Sequence, residues 1–178
     1  MRILLISDTH GNIPFDLHDL NCDVLMHAGD IGPTSLINSF YAFNQWHAVL
    51  GNTDFDLVDT LPATLFSRDY GPSIFMVHNL AAPHRIIAEN LADIDKLNPS
   101  VVFYGHTHMP DIVQKNDRLF VNPGSLGKPG LTNIQSYAII TLAEKDVQSV
   151  EIYNIKDHKV VLSWFNDTNE EENSSSYV

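Results

Sequence analysis

The chain has 178 residues and a formal net charge of −12. That length suits one domain with a sizeable core, and the acidic balance argues against broad nucleic-acid coating or an anionic membrane partner, both of which need basic surface. No apolar run approaches the roughly 18–20 residues of a membrane span, and Cys22 is the only cysteine, so no intrachain disulfide can form and a cytoplasmic setting is expected.

The first run, "ILLIS" (3–7), lacks a small-residue cleavage site and leads straight into Asp8 and His10, so it reads as a strand rather than a signal peptide. Residues 11–21 hold only a short helix, because Pro14 fits a first turn and not an interior. "DVLMHAGD" (23–30) is a second strand. Residues 34–45 have nearly helical apolar spacing, with Thr34 as a fair N-cap. "WHAVL" (46–50) is a short strand ending at Gly51-Asn52. "TLFSRDY" and "SIFMVH", divided by Gly71-Pro72, read as a hairpin. Residues 83–97 carry the clearest helical pattern, with Pro83 in its first turn. "VVFYG" follows as a strand. Two hairpins come next, one turning at Asn116-Asp117 and one pairing "YAIITL" with "VQSVEIYNI". The chain is thus expected to form one mixed, layered α/β domain over 1–165 with two sheets in its core. A polar tail, 166–178, is expected to be disordered.

The apolar runs stop at groups that can bind metal. The first ends in Asp8 and His10, the second in Asp30, and the third in Asn52 with Asp54 nearby. "MVH" ends in His78, and "GHTH" supplies His106 and His108. In open α/β sheets, ligands bind beyond the carboxyl ends of the strands, so these groups converge if the runs are neighbours. Any one of these short patterns is weak evidence; their conjunction at successive strand ends is not. Histidine with Asp or Asn suits Mn, Fe, Ni or Zn better than Mg or Ca. Seven such ligands are too many for one ion and about right for two that share a carboxylate. With Asp8 and Asp30 as the only anionic ligands, two divalent cations keep a net positive charge even after a bridging hydroxide is added. Such a centre attracts a phosphoryl group and supplies a nucleophile. His27 is either a support to this site or a packed strand histidine. Lys128 is the nearest basic candidate for a substrate contact, or simply a solvated loop lysine.

At these residues the chain resembles the calcineurin-like metallophosphoesterases, whose pattern runs Asp-x-His, Gly-Asp, Gly-Asn-x-Asp/Glu, His and Gly-His-x-His. Here "DTH", "GD", "GNTD", "VH" and "GHTH" occur in that order from residue 8 to residue 108. The length and "NPGS" (122–125) look most like the small phosphodiesterases of the YfcE type. The resemblance implies a two-sheet β-sandwich flanked by helices. It also implies two divalent metals, manganese first, with nickel, iron or zinc as alternatives. One would take Asp8, His10, Asp30 and His108; the other Asp30, Asn52, His78 and His106. Attack by a metal-bridging hydroxide on a small phosphodiester is the implied reaction, and a homo-oligomer the implied assembly. Thr53 stands where larger relatives carry an acidic His, so no side chain here is the expected proton donor. Asp54 is expected to orient the site, and Asn12, Asn52 and Thr53 to contact substrate. Asn79 replaces a common Gly after His78, which would reshape the His84 loop. The alternative is a Vps29-like non-catalytic scaffold.

Overall fold

The computed structural model describes residues 1–166 except 84 and 132. The tail expected from 166 therefore lies outside the described residues apart from Asn166, as does His84. Strands β1 (Arg2–Ile6), β2 (Val24–His27) and β3 (Gln45–Ala48) run parallel. Next in the chain come β4 (Thr64–Ser67) and β5 (Ile74–Val77), then the two-residue strands β6 (Ala81–Ala82) and β7 (Arg85–Ile86), then helix α1 (Ala88–Leu97) and β8 (Val101–Phe103). The remaining strands are β9 (Pro110–Lys115), β10 (Arg118–Pro123), β11 (Ser136–Ala143), β12 (Asp146–Asn154) and β13 (Val160–Phe165). One sheet has the order β13-β12-β11-β1-β2-β3, and the other β4-β5-β8-β10-β9.

The two sheets pack face to face. Ile3, Leu5, Val24 and Met26 from the first meet Ile74, Met76, Phe103 and Val121 from the second in one core. The alternate residues Leu4, Ile6 and Leu25 point outward and lie under Leu17, Ile37, Phe40 and Leu57 of short 3-10 helices. Likewise Phe75, Val102 and Phe120 lie under Ile94 of α1. Strands buried on both faces need continuous rather than alternating apolar sequence, which explains "ILLI". The two-sheet sandwich flanked by helical layers is the expected fold.

Three local expectations are corrected. The helix read over 34–45 is a run of 3-10 turns over Thr34–Ala42, with Pro33 rather than Thr34 at the cap position and no side-chain cap bond. Its buried Ile37 and Phe40, with Phe43 beyond, recur every three residues, the 3-10 period. The helix read from Pro83 begins only at Ala88, because Ala81–Ala82 and Arg85–Ile86 pair as β6 and β7 and Ile87 N–H bonds Leu80 O at 3.2 Å. Strand β13 was not expected. It is an edge strand with little burial, held by its register with β12.

In the first sheet β1, β2 and β3 end at the same edge; in the second β5, β8 and β10 are mutually parallel and do the same. The segments that follow these strands carry the groups described next.

Candidate metal centre

Seven donor groups form one continuous chain of contacts. His108 Nε2 lies 3.1 Å from Asp8 Oδ1 and 3.4 Å from His10 Nε2. His10 Nε2 is 3.8 Å from Asp30 Oδ2, and His78 Nε2 is 3.5 Å from that same oxygen. Asn52 Oδ1 then lies 3.1 Å from His78 Nε2 and 2.8 Å from His106 Nδ1. Asp30 Oδ2 thus stands between one group of donors (Asp8, His10, His108) and another (Asn52, His78, His106).

The local backbone is costly to make. Asp8, His10, Asp30, His106 and His108 all have positive φ, between 45° and 69°. L-residues avoid this region, and such strain gathers at functional sites. Two glycines permit the close packing. A Cβ on Gly51 would meet Asp30 N at 2.1 Å, and one on Gly105 would meet Ser7 Oγ at 2.0 Å.

Hydrogen bonds hold the loops together. Asp8 N–H bonds Gly29 O and His10 N–H bonds Asp30 O, at 2.9 and 3.0 Å. Asp54 is buried and accepts from the N–H groups of Ile31, Gly32 and Gly51, tying the Asp30 loop to the Asn52 loop. The "NPGS" segment carries the end of β10 to the same edge. Asn122 Nδ2 donates to Gly105 O at 2.9 Å, and Ser125 Oγ donates to Asp8 O at 2.9 Å.

His27 is fully buried inside this framework. Its Nδ1 accepts from Gly29 N–H at 3.2 Å, so its Nε2 carries the proton and donates to Thr9 Oγ1 at 2.9 Å. Thr9 in turn donates to Ile31 O at 2.8 Å. His27 is therefore a packed histidine that also braces both donor loops. Burial pushes it down to about 3. The roles of Thr9, Asn122 and Ser125 escaped sequence reading, because buried hydroxyls and amides look like any others until their partners are known; only "NPGS" carried a signal.

The donor set fits a divalent cation on three grounds. Asp8 and Asp30 are both buried, and adjacent buried carboxylates call for positive charge. Asp8 Oδ1 is buried with no well-aligned hydrogen bond, and the His108 ring nitrogen already described stands 3.1 Å from it. Asp8–His10–His108 and Asp8–Asp30–His78 each place one ligand atom per residue within 4.8 Å of the others. The imidazoles are also aimed. His78 Nδ1 lies 2.7 Å from Ala28 O, which can only accept, so in the neutral ring Nε2 is left bare and faces Asp30.

Burial works against a charged His78, but the Asp30 carboxylate, Asp8 and the Ala28 carbonyl outweigh it and raise its pKa. The Asp8 carboxylate beside it raises that of His108. Burial and the neighbouring His78 lower that of His106. Asp30 is pushed up by burial, yet the His78 ring in its protonated form and the Thr53 N–H hold it well below the usual carboxylate range.

The expected substrate contacts are less concentrated. Asn12 Nδ2 reaches Gly127 O at 3.5 Å, on the exposed side of the His10 loop. Thr53 meets the cluster through its backbone, N–H to Asp30 Oδ1 at 2.9 Å. Lys128 is exposed, and its N–H donates to Ser125 Oγ.

Residues 1–145 match the model of the calcineurin-like phosphoesterase superfamily domain. The chain belongs to that superfamily. It is 31% identical to "Probable metallophosphoesterase YsnB" of Bacillus subtilis (strain 168), over 86% of this chain and 91% of that protein. It is 28% identical to "Phosphodiesterase YfcE" of Escherichia coli (strain K12), over 86% of this chain and 93% of that protein. Vps29 of Chaetomium thermophilum has a similar fold, with a TM-score of 0.75 at 17% identity over 93% of this chain and 98% of that one. Membership makes phosphoester hydrolysis the general function of this chain and divalent metals its cofactors. Among the described residues, no helix is long and apolar enough to cross a membrane.

Proposed function

We propose that the chain is a phosphodiesterase that works with two divalent cations sharing Asp30. The observation that carries this reading is the position of Asp30 Oδ2 between the two groups of donors. Asp8, His10, Asp30 and His108 would hold one cation; Asp30, Asn52, His78 and His106 would hold the other. Manganese suits the mixed nitrogen and oxygen donors, with nickel, iron or zinc as alternatives. A bound pair would supply positive charge to the phosphoryl oxygens and a hydroxide nucleophile near neutral pH. The neutral amide of Asn52 keeps the donor set at two negative charges, and Thr53 N–H fixes the Asp30 carboxylate. Asp54 orients the Asn52 loop, and Asn52, Thr53 and Asn12 lie on the exposed side, where a substrate phosphate would approach. Thr53 cannot protonate a leaving alcohol near neutral pH, so esters with good leaving groups should react fastest. The substrate is a small diester, the setting cytoplasmic and a homo-oligomer the favoured assembly. The name of the YfcE relative supports diester rather than monoester cleavage.

Manganese-loaded protein should hydrolyse an activated aryl phosphodiester, and His78→Ala should abolish that activity. No hydrolysis with Mn²⁺ or Ni²⁺ would refute the reading. The likeness to Vps29 favours a second reading, a non-catalytic scaffold; unchanged phosphate affinity in Asp30→Asn would support it.

A further inference from the structure

A cavity of about 790 Å³ opens beside the donor cluster, with Asn52 and His78 in its wall. Its other walls come from Val77 on β5, Thr64 on β4, and Ile87, Glu89 and Asp93 on and before α1. The volume lies within the range of small-molecule sites. A phosphate placed at the cluster would lie beside this space, because Asn52 and His78 belong to both.

The lining is chemically one-sided. Val77 and Ile87 offer an apolar surface, and Glu89 and Asp93 bring two carboxylates from positions four apart on one helical face. Among the described residues, no lysine or arginine lines the cavity. An alcohol that carries a second phosphate or a carboxylate would enter against like charge with no cation to receive it. An alcohol bearing an amine or a quaternary ammonium would find apolar walls for its body and acidic groups for its head.

We propose that this cavity holds one ester arm of the diester and selects a cationic or uncharged alcohol over an anionic one. The inference rests on the phosphodiesterase reading above. The cavity's continuity with Asn52 and His78 makes it a substrate subsite; the acidic pair sets only its preference.

The test uses the metal-loaded chain and three aryl phosphodiesters. All share a p-nitrophenyl arm, and the second arm is choline, phenyl or an alkyl chain ending in carboxylate. The expected kcat/KM is higher for the choline ester than for the carboxylate ester by about tenfold, the order a surface charge pair supplies. E89K/D93K should bring that ratio to one or below. The overall charge of −12 disfavours anionic arms in any case, so the change on reversal is the decisive readout. E89Q/D93N provides the same comparison with a smaller charge change should the reversed chain fail to fold, and it should lower the ratio part of the way. Equal ratios in the parent chain and the folded variant would overturn the inference and leave the phosphodiesterase reading intact. If none of the three esters is cleaved, both fall.

Discussion

Asn116 and Asp117, at the tip of the β9–β10 hairpin, share a left-handed backbone with Asp8, His10, Asp30, His106 and His108 at the donor cluster. At the tip, two consecutive left-handed residues make the tight turn whose twist matches the flanking strands. Both are exposed, and Gly would serve there as well. At the cluster the same conformation is forced on residues chosen for their side chains. It persists because hydrogen bonds accepted by Gly29 O, Asp30 O and the Asp54 carboxylate, and donated by Asn122 and Ser125, fix the loops around it. Left-handed backbone is a convenience of the turn in one region and a cost borne for donor placement in the other.

The largest effect should come from the Asp30 carboxylate. Asp30→Asn should lower kcat/KM for an aryl diester by at least about 100-fold, the upper end of what supporting residues of metal sites cost. Asp117→Asn at the turn should leave it unchanged, measured on manganese-loaded protein. Equal losses in both would erase the distinction. Next come the close approaches. Gly51→Ala and Gly105→Ala put a Cβ near 2 Å from Asp30 N and Ser7 Oγ, so each should cost about 1–3 kcal/mol in urea unfolding and weaken metal binding as well.

A third effect sharpens the role of the buried brace. The folded His27 titrates near 3 against an ordinary 6.5. Between those values the unfolded chain binds the extra proton, so stability should fall as pH drops through 6.5 and keep falling towards 3. The slope from this one group is at most about 1.4 kcal/mol per pH unit. Urea midpoints recorded across that window should fall less steeply in His27→Gln; an identical slope would remove His27 from the account. The smallest effect is the control at the hairpin tip: Asn116→Gly should change stability by no more than about 0.5 kcal/mol.

Much of the candidate site could be read from sequence because each donor follows an apolar run, and parallel strands carry such run ends to a common edge. Asp8, Asp30, Asn52 and His78 are of this kind. The hairpin at Asn116-Asp117 was also legible, since the turn chemistry is local. What stayed hidden depends on distant partners. Thr9, His27 and Ser125 matter through hydrogen bonds to other loops. β13 depends on its register with β12 and on Trp164, whose ring N–H donates to Gln114 of β9. The start of α1 was misplaced because a helical apolar pattern continues back through residues that the β6–β7 pairing claims instead.

Anomalous diffraction from manganese-soaked crystals tests the shared-carboxylate centre most directly. Two peaks about 3.5–4 Å apart, on either side of Asp30 Oδ2 and within ligand distance of the two histidine groups, are the expected result. A single peak, or peaks that leave Asp30 uncoordinated, would contradict it.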